Sequence, residues 1–577
     1  MSNTLAVKAL NQYRQRDVFA YLALRYYVSS SVGRQDRWIN EVCTRLTRQD
    51  TSGTYQRLKH FKERAVNGEI IHRDIYLPSP SEILAETSLI TELCHDKNKI
   101  FHPRSFVYSY RLANPTDKGG VFQPYFDGLK ERQRSIATEC KKSSSYVVFY
   151  TDIKKFYPTI RIEDAKSVWE AACSKSGIER HFRALGSTIL ENHAKVSQND
   201  STGEGLLTGP LFSHVIANLL MDKIDDEMHR LTAGNYWRYV DDIVLVGEKE
   251  QVEEWRNQLA NKCQNLGLNL HSGDKDFFVD GEEWLKGEFD FNNSISTDWI
   301  SLIANIKRFL LARPSKMDGL INTFQANHIR IPVLDYSTAI KDRSYLRKAQ
   351  DWLRRYHWAK NNVREISVES LLDQALACRD NYLNQLKAIA EVYSQNAVYG
   401  RKRNLPKIRF FAGRLAYLLS HEQLSALNDT LREVDGLELL VETTTAIATN
   451  DFSTVVRMGA NATHAAAQLK VAEGKNLMVH IDPNLPYDEA VAQSLAVLAI
   501  NELKHDYRKA GEDDLLVLAT GKGLKQCFRS DNKFVSEFAC LCGVDDIRHQ
   551  ELLNSCFDRD ETLAMDLLVQ IHNSSGV

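Results

Sequence analysis

The stretch Tyr236-Trp237-Arg238-Tyr239-Val240-Asp241-Asp242-Ile243-Val244-Leu245-Val246-Gly247 decides the reading of this 577-residue chain. Apolar and aromatic strand formers lie on both sides of Asp241-Asp242, so the two aspartates fall at a hairpin tip, where their charge need not be buried. Adjacent carboxylates repel one another unless a cation lies between them. A hard divalent ion takes such oxygen ligands. An Asx-rich turn also accounts for Tyr-x-Asp-Asp without any metal, so the hairpin alone does not decide the chemistry.

A second segment does. Tyr146 to Tyr150 reads as a strand running into Thr151-Asp152-Ile153-Lys154-Lys155-Phe156-Tyr157. An aspartate at the end of an apolar strand can sit beside the hairpin tip on a neighbouring strand. Asp152, Asp241 and Asp242 then form an oxygen cluster for two Mg²⁺ (or Mn²⁺) ions, with Ile153 at the same strand end as a further metal-site residue. One ion would activate a primer 3′-hydroxyl and the other would hold a triphosphate and its leaving pyrophosphate. Such chemistry asks the protein for little beyond positioning and charge neutralisation.

Around these segments the chain falls into three zones. Residues 1–100 read mostly helical, with apolar residues at helical spacing in DVFAYLALRYYV and SEILAETSLITELC. Residues 101–295 mix short strands (SYVVFYTDI, YWRYVDDIVLVG) with helices (RIEDAKSVWEAACSK, PLFSHVIANLLMDKIDDEMHRL), an α+β pattern. Residues 300–577 read as successive amphipathic helices, for which an α-solenoid or a compact bundle is expected. GRKRNLPK, after Tyr399, reads as a basic loop breaking that zone.

Net charge is −2, which decides nothing about partners, but its distribution is uneven. Residues 101–155 hold ten Lys or Arg against five Asp or Glu, and residues 341–365 eight against three. The second stretch interleaves Tyr345, Trp352, Tyr356 and Trp358 with its cations, a mixture that tracks phosphates and stacks bases. Arg347, Lys348, Trp352, Arg354 and Arg355, with Arg401, Lys402 and Arg403, are the nucleic-acid-binding candidates; a helix packing its aromatics inward gives the same string. No apolar run is long enough for a membrane span, and the N-terminal segment lacks the apolar core and cleavage site of a signal peptide. Ten scattered cysteines complete no zinc cluster and read as reduced thiols, so a cytoplasmic location is expected.

Taken together, the motifs resemble the palm of reverse transcriptases. DIKKFYPTI resembles the first palm motif and YVDD the third. Gly205-Leu206-Leu207-Thr208-Gly209-Pro210-Leu211-Phe212-Ser213, continuing to Ala217-Asn218, resembles the second: a glycine loop opening a helix with Pro210 near its first turn. Leu266-Gly267-Leu268-Asn269-Leu270 with Lys275 resembles the fourth, whose lysine meets the leaving group. The resemblance spans about 200 residues. It implies nucleotide contacts at Phe156, Tyr157, Gly209, Ser213 and Lys275. Tyr157, five residues after Asp152, falls where the family carries an aromatic gate that clashes with a ribose 2′-hydroxyl. By analogy with the family's fingers, Arg111 would meet the triphosphate.

Two departures narrow the resemblance. Leu207-Thr208 stands where the family usually has Pro-Gln, a pair that helps position template and nucleotide. No recognisable thumb follows residue 295. A palm followed by a long helical region is similar to the UG/Abi group of abortive-infection, defence-associated bacterial reverse transcriptases. That resemblance implies a fingers/palm domain followed by a HEAT-like helical-repeat domain, antiphage defence, and homo-oligomerisation through the helices. It also implies synthesis of single-stranded DNA from dNTPs, primed by a protein or running without template, and leaves room for a noncoding RNA partner. A conventional RNA-templated reverse transcriptase and a non-catalytic nucleic-acid-binding scaffold remain as the other two readings.

Overall fold

The computed structural model describes residues 55–333 and 366–544 except 66, 118, 201–204, 274, 293–296, 394–397, 475, 510, 512, 521–523 and 529, together with Leu5, Lys8, Ala9, Gln12, Tyr13 and Phe19. The chain is mixed α and β and divides into two compact units. One comprises Met1–Arg57, Asp74–Ser294 and Lys525–Val544; the other comprises Leu58–Arg73, Ile295–Leu524 and Asp545–Val577. The helix expected at DVFAYLALRYYV lies, apart from Phe19, outside the described residues.

Between residues 55 and 78 the chain forms a β-hairpin where the sequence reading expected helix. Strands β1 (Gln56–Arg64) and β2 (Ile70–Leu77) pair with each other. The reason is local: Gly68 adopts φ +82° and its amide donates to Ala65 O at 2.8 Å. Asn67-Gly68 is a strong hairpin-turn signal between two strand-forming runs. The helical expectation holds next door, where α1 (Pro80–Leu93) starts at the Ser79 cap with Pro80 in its first turn.

The first unit is built on a four-stranded antiparallel sheet of order β4-β5-β3-β6, from β3 (Val147–Asp152), β4 (Tyr236–Tyr239), β5 (Asp242–Gly247) and β6 (Phe277–Asp280). Val148, Phe149, Ile243, Val244, Leu245 and Val246 are fully buried, which is why the central strands read as unbroken apolar runs. The helices that go with the sheet are α2 (Tyr125–Cys140), α3 (Phe156–Thr159), α4 (Ile162–Lys175), α5 (Arg180–Asn199), α6 (Leu211–Leu231), α7 (Lys249–Asn265) and α8 (Gly281–Asn292). Helix α6 buries Leu211, Val215, Ile216 and Leu220, and the sheet's tip lies at its flank.

Apart from its share of the β1–β2 hairpin, the second unit is almost wholly helical among its described residues. It runs through α9 (Thr297–Ala312), α10 (Met317–Ala326), α11 (Val368–Tyr393), α12 (Val398–Leu415) and α13 (His421–Leu431). It continues through α14 (Glu438–Thr449), α15 (Ser453–Met458), α16 (Ala460–Val471), α17 (Glu489–Ile500) and α18 (Asp514–Thr520). Two residue-pair strands, Met478–Val479 and Lys504–His505, interrupt the helices with one short parallel pairing. The expected basic loop GRKRNLPK is instead part of α12, with Pro406 inside the helix. An internal proline costs about 3 kcal/mol. Burying Ile408, Phe411 and Leu415 on one face, at about 1.5–3 kcal/mol each, outweighs it. A last helix, α19 (Lys533–Val544), belongs to the first unit, which the sequence zones did not anticipate. Glu537 of α19 accepts a bond from the Ser81 amide at 2.9 Å in the first turn of α1.

No helix among the described residues is long and apolar enough to cross a membrane. Cys94, Cys140, Cys173, Cys263, Cys378 and Cys527 are buried, and none is in a disulfide among the described residues.

Candidate metal centre

Antiparallel register brings the three aspartates together. Asp152, the last residue of β3, pairs across from Asp242, the first residue of β5. Asp241 occupies the turn between β4 and β5, and its carbonyl accepts the Ile153 amide at 3.1 Å. One oxygen from each of Asp152, Asp241 and Asp242 lies within 4.8 Å of the others. Ile153 is buried, and its amide ties the β3 end to the tip.

The fourth segment is stitched to the same strand end. Lys154 N donates to Asn269 O at 2.8 Å, and His271 N to Asp152 O at 2.6 Å. This carries Lys275 to the cluster, with Nζ 3.2 Å from Asp152 Oδ2.

Electrostatics favour a cation here. Burial first, then the charges of Asp152 and Asp242, pushes the Asp241 carboxyl up to about 7. Burial also raises Asp242, against the opposing pull of Arg132 and a hydrogen bond from the Tyr150 hydroxyl. Asp152 Oδ1 is buried and has no hydrogen-bond partner among the described residues. A buried carboxylate oxygen left unsatisfied beside two more carboxylates is the donor set a divalent ion requires. The residues therefore fit a metal, and Asp152, Asp241 and Asp242 would hold it.

The tip is held in a strained form from both sides. Val240 adopts φ +57°, a region a β-branched residue enters at a cost on the order of 1–3 kcal/mol. Its amide donates to Ser109 Oγ at 2.7 Å, and its carbonyl accepts Arg238 Nη1 at 2.8 Å. Arg238 is wholly buried. Its Nε and Nη2 grip Asp225 of α6 at 2.8 and 2.7 Å, Nη2 also reaches Asn218 Oδ1 at 3.1 Å, and Tyr236 donates to the same Asp225 at 2.7 Å. A buried ion pair thus fixes the aspartate hairpin to α6.

The remaining sequence candidates are placed as follows. Gly209 has φ +127°, and an added Cβ would stand 2.4 Å from Tyr76 O; Thr208 O accepts the Tyr76 amide at 2.8 Å. This loop is therefore clamped against β2. Ser213 is buried with its hydroxyl donated to Leu207 O at 2.7 Å, and Phe156 is buried beside Tyr157. Both side chains are built into the interior, so the direct nucleotide contact expected of them is not open. Arg111 is spent on Val107 O, Ser105 O and Glu131, beside a 480 Å³ cavity that Tyr108 and Arg134 also line. Tyr157 is half-buried and shares a 2.6 Å hydrogen bond with His214 Nδ1. Arg347, Lys348, Trp352, Arg354 and Arg355 lie outside the described residues, while Arg401, Lys402 and Arg403 are half-buried on α12 in the other unit.

Sequence reasoning missed five residues of the site: Tyr150, Arg132, His214, and the paired Arg238 and Asp225. Tyr150 carried a signal, because it lies two positions before Asp152 and therefore on the same face of β3. Arg132 of α2 lies 5.6 Å from the Tyr239 ring and is almost wholly buried. Its Nε and Nη1 have no hydrogen-bond partner among the described residues. No family model matches the chain, and comparison with curated proteins returns no match.

Proposed function

We propose that the chain is a metal-dependent DNA polymerase of the reverse-transcriptase type, with Asp152, Asp241 and Asp242 as its catalytic carboxylates. The observation that carries this reading is the convergence of those three side chains at the end of one antiparallel sheet, with Lys275 beside Asp152. When bound, a pair of Mg²⁺ or Mn²⁺ ions would supply an activated attacking hydroxyl and neutralise the charge on a triphosphate and its leaving group. The chain's own part is positional. Asp152 and Asp242 are set by strand register, Asp241 by the clamped tip, and Lys275 stands where a departing pyrophosphate would need a cation. The ordered motifs support a fingers/palm assignment for this unit. The helical second unit is consistent with the helical-repeat half of the defence-associated group. On that reading the protein acts in antiphage defence as a homo-oligomer, making single-stranded DNA from dNTPs with a protein primer or without a template.

The test is incorporation of labelled dNTPs with Mg²⁺ or Mn²⁺, with and without an added primer–template, beside an Asp241→Ala/Asp242→Ala control. No incorporation under any condition removes the polymerase reading. Incorporation that strictly requires primer and RNA template replaces the defence-type reading with the conventional one. Loss of phage protection in the same double variant tests the biological role.

A further inference from the structure

Tyr157 is placed by a neighbour that no motif names. The tyrosine sits in α3, one short turn after Asp152, where Lys155 bends the chain with φ +46°. Its hydroxyl shares a 2.6 Å hydrogen bond with Nδ1 of His214, and the two rings meet edge to face with centroids 5.3 Å apart. His214 is in the first turn of α6, directly after the buried Ser213, and is itself buried.

The imidazole is in turn immobilised. Tyr110, itself at φ +49°, stacks on it at 3.6 Å with an interplanar angle of 7°. Phe122 meets the Tyr110 ring at 5.2 Å and the His214 ring at 6.1 Å, both edge-on. Three segments distant in sequence therefore meet at one imidazole: the loop before α2, the α3 turn that carries Tyr157, and the start of α6. A ring held by packing alone can slide a few tenths of an ångström. One also held at its far end by a hydrogen bond to a clamped partner is held more tightly, because that motion stretches and misaligns the bond.

We propose that His214 is the positioning residue that fixes the Tyr157 ring, and that the choice between deoxyribose and ribose substrates depends on this bond. The inference rests on the polymerase reading above and on Tyr157 facing the incoming sugar. Steric exclusion of a 2′-hydroxyl is only as strong as the wall is stiff: a wall that yields accepts the larger sugar. Removing the bond from either side should loosen the wall by the same amount, about tenfold in selectivity, the rate equivalent of one hydrogen bond.

The experiment compares kcat/KM for matched deoxy- and ribonucleoside triphosphates in the full chain, under whichever incorporation condition supports activity. Tyr157→Phe deletes the hydroxyl and leaves the imidazole. His214→Phe deletes Nδ1 and leaves an aromatic ring for Tyr110 to stack on. Each variant, and the double variant, should lose about tenfold of the deoxy preference, and the double should lose no more than either single. Tyr157→Ala should lose more than any of them. A merely structural role for His214 would lower both sugars together and leave the ratio unchanged. If Tyr157→Phe and His214→Phe both keep the wild-type ratio, or if their losses add, the inference is overturned while the polymerase reading stands. If Tyr157→Ala also keeps the ratio, the tyrosine is not a sugar gate and the inference falls with it. Wild-type protein that incorporates neither sugar overturns the polymerase reading itself. Because Tyr157→Phe tests the bond without touching His214, a poorly folded His214→Phe does not shelter the idea.

Discussion

Arg238→Met removes the charge beneath the aspartate hairpin while keeping a stem of similar length. Arg238 and Asp225 are 0% and 1% exposed, so no water replaces what is lost. The substitution deletes the 2.8 and 2.7 Å bonds to Asp225, the 3.1 Å bond to Asn218 and the 2.8 Å bond to Val240 O, leaving the Asp225 carboxylate, among the described residues, with only the Tyr236 hydroxyl. Breaking one side of a buried pair costs about 3–5 kcal/mol. At roughly 2.1 cal/mol/K of unfolding entropy per residue, a unit of about 300 residues shifts by about 1.6 °C per kcal/mol, so the unfolding transition of the first unit should fall by about 5–8 °C. Differential scanning calorimetry reads this directly. The companion Arg238→Met/Asp225→Leu removes both charges and should regain most of the lost stability, because two apolar side chains replace two desolvated ions. It does not return the donor to Val240 O, so the strained tip stays loose. Nucleotide incorporation should therefore remain depressed in the stable double variant. A single variant that melts within about 2 °C of wild type, or a double no more stable than the single, would show that the pair is not what holds the hairpin.

Three further outcomes follow from the same geometry. The Asp241 carboxyl is held up to about 7 against an ordinary value of 3.8, so the folded protein keeps a proton that the unfolded chain releases. The associated stability is complete below about pH 4 and disappears as pH rises through about 7. In chelator, melting temperature should fall between pH 5 and 8; Asp241→Asn should flatten that slope, and Mg²⁺ at pH 8 should restabilise wild type but not the variant. Lys275 is half-exposed, so Lys275→Met should move stability by less than about 1 kcal/mol. Because its ammonium competes for Asp152 Oδ2, the Mg²⁺ concentration giving half the thermal shift should fall, and a rise would contradict the competition. Gly209→Ala forces a Cβ against Tyr76 O at a left-handed φ and should cost about 1–3 kcal/mol or more in a chemical denaturation curve; a neutral effect would mean that the loop is not clamped there.

What the sequence disclosed and what it hid differ for a physical reason. The three aspartates were legible because a charge at the end of an apolar strand violates the local pattern, and β3, β4 and β5 are short enough for strand propensity to place them. The hairpin at 56–77 was equally legible in Asn67-Gly68, but the apolar spacing on either side of it read as helix. The helix through Pro406 was not legible, because its stability comes from the tertiary burial of Ile408, Phe411 and Leu415 and not from local preference. Least visible of all were the cations and donors beneath the site. An Arg within YWRY reads as a solvent-facing residue; only α6, arriving with Asp225, reveals that Arg238 faces inward. Arg132 on α2 and Tyr150 on β3 oppose the upward push of burial on the Asp242 carboxyl in the same way, from elements that sequence spacing does not connect. A metal site must gather like charges, and like charges in an apolar context stand out along a chain. The groups that make the gathering tolerable come from elsewhere in the fold, each unremarkable in its own segment, so the ligands of such a centre can be read in one dimension while its counter-charges need three.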